Sequence, residues 1–338
     1  MKTVLKIALC VALLCLQSRV AAAQDSAQAF FAGRQIRAIV STAAGGDYDV
    51  WMRVVTTHMR KYIPGAPNFI IQNMPGGGSI IATNYLANVA PRDGSMIGMI
   101  GRNLPFQSLM GERSIKFDLG QFNWIGNPET TNRVCVTRPT PKVRSAKDLF
   151  EHELNFGGAG AGGALSTIPQ LLSRMMNMRM KLIEGYQSPQ DVLLAIERGE
   201  LDGVCTSVTG IESLRPGWMA SGKLIVLFNL ERDRLPGRDV PSIYEFTKSD
   251  DERRLLTLMS AGVVFGRPIV APPGVPAERV AVLRTAFEKA MADPDLLAHV
   301  QKLGLEPGVM TGDALAKLNA EVMATPRAFV ERMKAYLK

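Results

Sequence analysis

The chain has 338 residues, 46% of them hydrophobic and 21% charged, with a formal net charge of +8. That apolar fraction excludes a disordered chain, and at roughly 100–200 residues per domain the length suits two domains, each able to bury a core. The basic residues are dispersed without an interleaved aromatic patch, so nucleic acid is not an expected partner.

Lys2 and Lys6 flank the start of an apolar run, Ile7 to Leu16, and Ala21-Ala22-Ala23 follows. A basic start, a short apolar stretch and small residues at its exit make a secretory signal over residues 1–23, cleaved near Ala23. The run is shorter than the roughly 20 residues that a membrane span needs. Cys10 and Cys15 are poor lipoprotein anchors, because bulky Leu9 and Leu14 precede them. Cleavage removes Lys2, Lys6 and Arg19 but no acid, which takes the charge from +8 to +5. Of the four cysteines only Cys135 and Cys205 then remain, either as one disulfide or as two buried thiols.

The mature region opens with an apolar, β-prone run, Ile36 to Val40, then Ser41 to Asp49 with Gly45-Gly46, then a helical pattern from Val50 to about Tyr62. Phe69 to Gln72 reads as a second strand, running into Pro75-Gly76-Gly77-Gly78 and a helix from Ile80 to Ala90. Met96 to Ile100 reads as a third, ending in Gly101-Arg102-Asn103. Phe122–Ile125, Val134–Thr137, Leu154–Phe156, Lys181–Ile183, Gly203–Cys205 and Leu224–Phe228 read as further strands. A glycine cluster, Gly157 to Gly163, precedes a helix through Met176; Thr247 to Arg254 is a charged loop or helix start, and beyond Pro276 the pattern is helical to the end. Strand, glycine loop and helix in repetition spell an α/β fold.

A strand that enters a helix through glycines leaves backbone N–H groups free at the sheet's carboxyl edge, a place suited to anions. The loop Gly158, Gly160, Gly163 also satisfies G-x-G-x-x-G, with Glu184 about twenty residues on, so a nucleotide-dependent oxidoreductase stands as an alternative. Its mid-chain position, Pro169 in the following helix and the export signal weigh against that alternative. His58, His152 and His299 are isolated from one another, and no G-x-S-x-G, H-E-x-x-H or C-x-x-C occurs. Met175, Met176, Met178 and Met180 point around several faces, as core methionines do. No metal, cofactor or enzymatic chemistry is expected.

Across residues 33 to 338 the chain resembles the extracytoplasmic solute receptors of tripartite tricarboxylate transporters, the TctC or Bug type. Ile36 to Val40 with Ala43-Ala44-Gly45-Gly46 and Asp49 resembles that family's opening strand and glycine loop. Asn73-Met74-Pro75-Gly76-Gly77-Gly78 is similar to its N-R-P-G-x-G-G, and Ala90-Pro91-Arg92-Asp93-Gly94 to its A-x-P-D-G-Y turn. Gly185-Tyr186-Gln187, Gly199 to Asp202, Leu235 to Pro241 and Ala271 to Pro276 resemble its later P-Y-K-G, G-x-V-D, L-P-D-V-P-T and A-P-x-G-T-P elements.

The resemblance implies a two-lobed, type II periplasmic-binding-protein (Venus-flytrap) fold with a ligand cleft between lobes. Lobe 1 is expected over 24–130 and 256–338, lobe 2 over 131–255. It implies a periplasmic monomer that captures a small carboxylate or amino-acid-like solute for membrane permease subunits, without a cofactor. An exported sensory receptor that feeds no transport is an alternative. Expected ligand-binding residues are Thr42, Ala43, Gly45, Gly46, Asp47, Arg102 and Asn103 in lobe 1, and Gly160, Gly162, Gly163, Thr206 and Ser207 in lobe 2. Three departures bear on the ligand. Asp47 replaces the third loop glycine, Gly163-Ala164 replaces serines, and Cys205-Thr206 replaces a Phe-Asp pair. Asp47 either caps its helix or favours a carboxylate that also carries an amine or hydroxyl.

Overall fold

The computed structural model describes residues 29–130, 132–158, 164–186, 188–234 and 239–337. The expected signal segment and Gly160, Gly162 and Gly163 lie outside the described residues.

The apolar runs become strands, because a chain that buries such a run must pair its backbone groups. They are β1 (Gln35–Val40), β2 (Asn68–Asn73), β3 (Met96–Met99), β4 (Asn123–Asn127), β5 (Arg133–Thr137), β6 (Leu154–Gly157), β7 (Met180–Ile183), β8 (Gly203–Ser207), β9 (Ile225–Asn229), β10 (Ile269–Ala271) and β11 (Met310–Thr311). The helices that matter below are α1 (Asp47–Met59), α2 (Ile80–Asn88), α3 (Leu104–Met110), α4 (Ala164–Met176), α5 (Pro189–Glu197), α6 (Val208–Leu214), α7 (Asp250–Val264), α8 (Ala277–Met291), α9 (Pro294–Lys302), α10 (Gly312–Met323) and α11 (Arg327–Leu337). Among the described residues no helix is long and apolar enough to cross a membrane.

Two compact units result. The first holds the described residues up to Leu104, Arg113–Glu129 and Arg267–Asn319; the second holds Pro105–Glu112, Thr130–Gly266 and Ala320–Lys338. The first unit's sheet has the order β11-β4-β10-β3-β1-β2, with β1 parallel to β2 and β3, and β10 antiparallel to β3 and β4. The second has the order β7-β6-β8-β5-β9, parallel at β6–β7 and β6–β8 and antiparallel at β5–β8 and β5–β9. Both sheets are thus mixed, each with a strand returning against its parallel core.

In the first unit α1 buries Trp51, Met52, Val55 and Met59, and α8 buries Leu283, Phe287 and Ala290. Gly126 is required there, since a Cβ would stand 2.1 Å from the Phe287 ring. In the second unit Val134, Val136, Val204, Leu193, Ile196 and Ile211 form the core. Cys135 and Cys205 face each other directly across the β5–β8 ladder, Cα atoms 4.0 Å apart, and are joined as a fully buried disulfide. Met175, Met176, Met178 and Met180 are all buried.

Two details differ from the sequence pattern. The C-terminal region is not continuously helical: β11 interrupts it and pairs with β4. The last helix also falls in the second unit, whereas the lobe bounds that the family resemblance implies group it with the first. Its buried Val330 and Met333, the Arg174 Nη1 hydrogen bond to the Tyr336 carbonyl (2.7 Å) and the Arg332–Asp251 ion pair (2.7 Å) tie it to α4 and α7.

Candidate functional site

Because β1, β3 and β4 all point the same way, their carboxyl ends line one edge of the first sheet, and the start of β10 lies between the last two. Neighbouring strands stand roughly 4.8 Å apart. Asn127, Arg267, Gly101, Ser41 and Asn73 therefore follow one another along that edge. Cross-links fix the row: Ser41 N donates to the Met99 carbonyl (3.2 Å), Ile100 N to the Pro268 carbonyl (3.0 Å) and Arg267 N to Asn127 Oδ1 (2.7 Å). Gly101 permits a close approach, as a Cβ there would meet Ser79 Oγ at 2.6 Å.

The first glycine loop is stapled from within. Gly45 takes φ +77°, a conformation L side chains rarely adopt, and its N–H donates to Asp49 Oδ2 (2.9 Å). Arg53 Nε (2.9 Å) and Nη2 (3.1 Å) and Asn73 Nδ2 (3.0 Å) also donate to this buried carboxylate. Arg53's hydrogen bond, followed by those of Gly45 and Asn73, outweighs burial and holds the Asp49 pKa down at about 2. Asn73 Nδ2 further donates to the Thr42 carbonyl (3.0 Å), joining the ends of β1 and β2.

Beyond the staple lies a charged cluster. Arg267 has a nearly buried side chain whose Nη1 meets buried Glu129 Oε2 at 2.7 Å and whose Nη2 pairs with Asp47 Oδ2. Burial raises the Glu129 pKa, with the Arg267 charge pulling the other way. The Tyr48 ring centroid lies 5.7 Å from the guanidinium carbon, and the Tyr48 hydroxyl accepts from Arg102 N at 3.3 Å. Along the same edge, Ser41 Oγ, Thr42 Oγ1 and Asn127 Nδ2 are buried with no hydrogen-bond partner among the described residues. Unsatisfied buried groups of this kind cost about 1–3 kcal/mol each.

Of the residues expected from sequence, Thr42, Ala43, Gly45, Gly46, Arg102 and Asn103 fall in the loops after β1 and β3, and Asp47 is the first residue of α1. Their roles are unequal. Gly45's N–H is spent on Asp49, and Gly46 is the residue that opens α1. The N-cap of α1 is Gly46, and Asp47, the residue after it, pairs with Arg267, so the capping expectation for Asp47 is corrected. The Arg102 guanidinium has no acidic partner among the described residues. Ser41, Asn127, Glu129 and Arg267 were not expected. The available signal was charge set against apolar strands, at Asn127-Pro128-Glu129 after β4 and at Arg267 before β10.

The second sheet presents its own edge where β8 and β9 end and β5 begins. Thr206 is buried, and Ser207 Oγ accepts from Gly210 N (3.0 Å), capping α6. Buried Arg133 opens β5 opposite Ser207. Asn229 Oδ1 accepts from Glu231 N (3.0 Å), while its Nδ2 donates to the Asp233 carbonyl (3.0 Å). Burial pushes the Glu231 carboxyl up to about 7, against the pull of Arg133. Glu184, the acid of the dinucleotide-like pattern, accepts a hydrogen bond from Ser166 Oγ (3.1 Å).

The histidines correct a sequence expectation. His58 and His299, isolated along the chain, meet between α1 and α9 with Nε2 and Nδ1 3.1 Å apart. Burial, and next the His299 charge, lowers the His58 pKa. Among the described residues, no group of three or more His, Cys, Asp or Glu is placed to hold a metal ion.

Comparison with known proteins places this arrangement. The model of the tripartite tricarboxylate transporter family receptor, TctC, matches residues 51–334. A UPF0065 protein of Cupriavidus necator is 25% identical over 313 residues, covering 90% of this chain and 88% of that protein. Among solved structures, a TctC solute-binding protein from Polaromonas superposes with a TM-score of 0.72 at 19% identity, covering 89% and 99% of the two chains. Two Rhodopseudomonas palustris proteins also share the fold. One, MatC with bound malate, gives a TM-score of 0.57 at 20% identity and covers 90% and 99%; the other, with adipate, gives 0.59 at 19% and covers 90% and 97%.

Proposed function

The chain belongs to the receptor family of tripartite tricarboxylate transporters, and from that premise we propose that it is an exported, periplasmic receptor that captures a small carboxylate and presents it to the transporter's membrane subunits. The observation that carries this reading is the first sheet's edge, where Ser41 Oγ, Thr42 Oγ1 and Asn127 Nδ2 stand unsatisfied along the same row of strand ends as the Arg267 cluster. Hydroxyl and amide donors next to a guanidinium suit a carboxylate. The malate and adipate held by two proteins of the same fold support the same ligand class. In this proposal Thr42, Ala43, Gly46, Arg102 and Asn103 contact the solute in the first unit, where Asp47 stands beside them as a neighbouring charge. Gly160, Gly162, Gly163, Thr206 and Ser207 are the further proposed ligand-binding residues. The protein acts by binding and catalyses no reaction.

A thermal-shift screen of the mature protein against malate, adipate, citrate, acetate, aspartate and NAD tests this. A micromolar ligand at millimolar concentration adds about 4 kcal/mol to stability, a shift of several degrees. A shift with NAD and with none of the carboxylates would reject the receptor reading.

A further inference from the structure

Asp47 and Arg267 form an ion pair at the edge where a solute carboxylate is expected, and the two ends of that pair are held very differently. Arg267 is anchored. Its side chain is 6% exposed, Glu129 (5% exposed) meets its Nη1 at 2.7 Å, and Asn127 accepts its backbone N–H. Asp47 is not anchored. Its side chain is 52% exposed, Gly46 and not Asp47 is the N-cap of α1, and among the described residues Arg267 is its only ion-pair partner. Glu129 and Arg267 already balance each other inside the protein, so Asp47 is the surplus negative charge. It stands in the first turn of α1, where the helix dipole tolerates a carboxylate whether or not that carboxylate is paired.

We propose that Asp47 is a built-in stand-in for the solute: its carboxylate occupies Arg267 in the empty receptor, and the solute's carboxylate displaces it. This rests on the carboxylate reading above and adds to it a named receptor cation and a named internal competitor. A guanidinium binds any carboxylate through the same donors, so the exchange at Arg267 is nearly neutral. The solute gains over Asp47 through the hydroxyls of Ser41 and Thr42, which Asp47 leaves without partners. Asp47 therefore sets a threshold: carboxylates that reach only Arg267 do not bind, and those that also engage the hydroxyls do. Once displaced, Asp47 still repels the bound anion. Removing its charge helps binding on both counts.

Isothermal titration with malate and with adipate, on the wild type and on Asp47→Asn, tests this. In Asp47→Asn at least one of the two acids binds about tenfold tighter, the step that about 1.4 kcal/mol represents, and acetate gains measurable binding. Arg267→Lys in the Asp47→Asn background loses that gain, because an ammonium lacks the planar fork. Unchanged or weaker binding by Asp47→Asn overturns the inference while leaving a carboxylate receptor in place. Tighter aspartate binding by the wild type than by Asp47→Asn also overturns it, since Asp47 would then be receiving the amine. If no carboxylate binds either protein, the receptor reading falls and takes this inference with it.

Discussion

Two acids at the edges of the two sheets titrate in opposite directions. Asp49, in the first turn of α1, is held at about 2; Glu231, beyond β9 in the second unit, is pushed to about 7. Desolvation pushes both upward, so it does not by itself decide the sign. Asp49 receives donors from Gly45, Arg53 and Asn73, and these outweigh its loss of solvent. At Glu231 desolvation is the largest influence, and Arg133 opposes it incompletely. Asp49 thus keeps its charge at any working pH, whereas Glu231 changes charge near neutrality.

The largest expected effect sharpens the contrast from the second unit's side. Cys135→Ser with Cys205→Ser opens a bridge between residues 70 apart in sequence. Loop-closure entropy values such a bridge at about 4 kcal/mol. Chemical denaturation should show that loss. Hydrogen exchange should place it in β5, β8 and β9 while the first unit's strands stay protected. Equal loss of protection in both units would show that they unfold as one and would dissolve the comparison.

Asp49→Ala comes next, at about 3 kcal/mol, because it orphans the Gly45 N–H and leaves the Arg53 and Asn73 side chains without their acceptor. The pH dependence follows from the lowered pKa. The unfolded chain takes up a proton near 3.8 while the native carboxylate resists until about 2. The stabilisation is therefore complete above the ordinary carboxylate range and is lost as the pH falls through about 2. Urea unfolding at pH 7 and pH 2.5 should show the wild type losing its advantage over Asp49→Ala at the lower pH. A constant difference would mean that the staple works by shape rather than by charge.

Glu231→Gln should act in the opposite sense and with a smaller size. Between about 4.5 and about 7 the native protein holds a proton that the unfolded chain has released, so stability falls as the pH rises through that window and then levels off. Removing the acid relieves this penalty, whose ceiling at pH 8 is about 3 kcal/mol before the amide's own desolvation is subtracted and which vanishes near pH 4. Thermal unfolding across that range is the check, and a variant that is no more stable than the wild type at pH 8 would place Glu231 in water.

Much of this was legible in the sequence because it is local. Runs such as Ile36 to Val40, glycines at their carboxyl ends and the helix patterns after them fix the α/β alternation, and the loops after β1 and β3 follow from that alternation. What remained hidden depends on which strands become neighbours. Arg267 and Glu129 are far apart along the chain and meet only because β10 inserts antiparallel between β3 and β4. His58 and His299 meet only because α9 lies beside α1. The disulfide was open for the same reason, since spacing alone does not place Cys135 opposite Cys205 on adjacent strands. Pairing along a sheet is a long-range property, and residues flanking a short strand reveal little of it.

The smallest expected effect tests whether Asp47 belongs to the scaffold that Asp49 builds two residues away. Both acids lie in the first turn of α1, and both contact an arginine. Asp49 is buried and shared among four donor atoms, whereas Asp47 is half exposed with a single ion-pair partner among the described residues, which Glu129 already neutralises. Arg267 is buried but keeps Glu129, so losing the half-exposed member of the pair costs little, about 0–1 kcal/mol. Asp47→Asn should accordingly change the unfolding free energy by under about 0.5 kcal/mol, because the amide can still accept from Arg267. A loss above about 2 kcal/mol would put Asp47 in the scaffold with Asp49. A carboxylate that the fold cannot spare is not one that a solute can displace, so this measurement of stability alone, made without any ligand, bears directly on the exchange at Arg267.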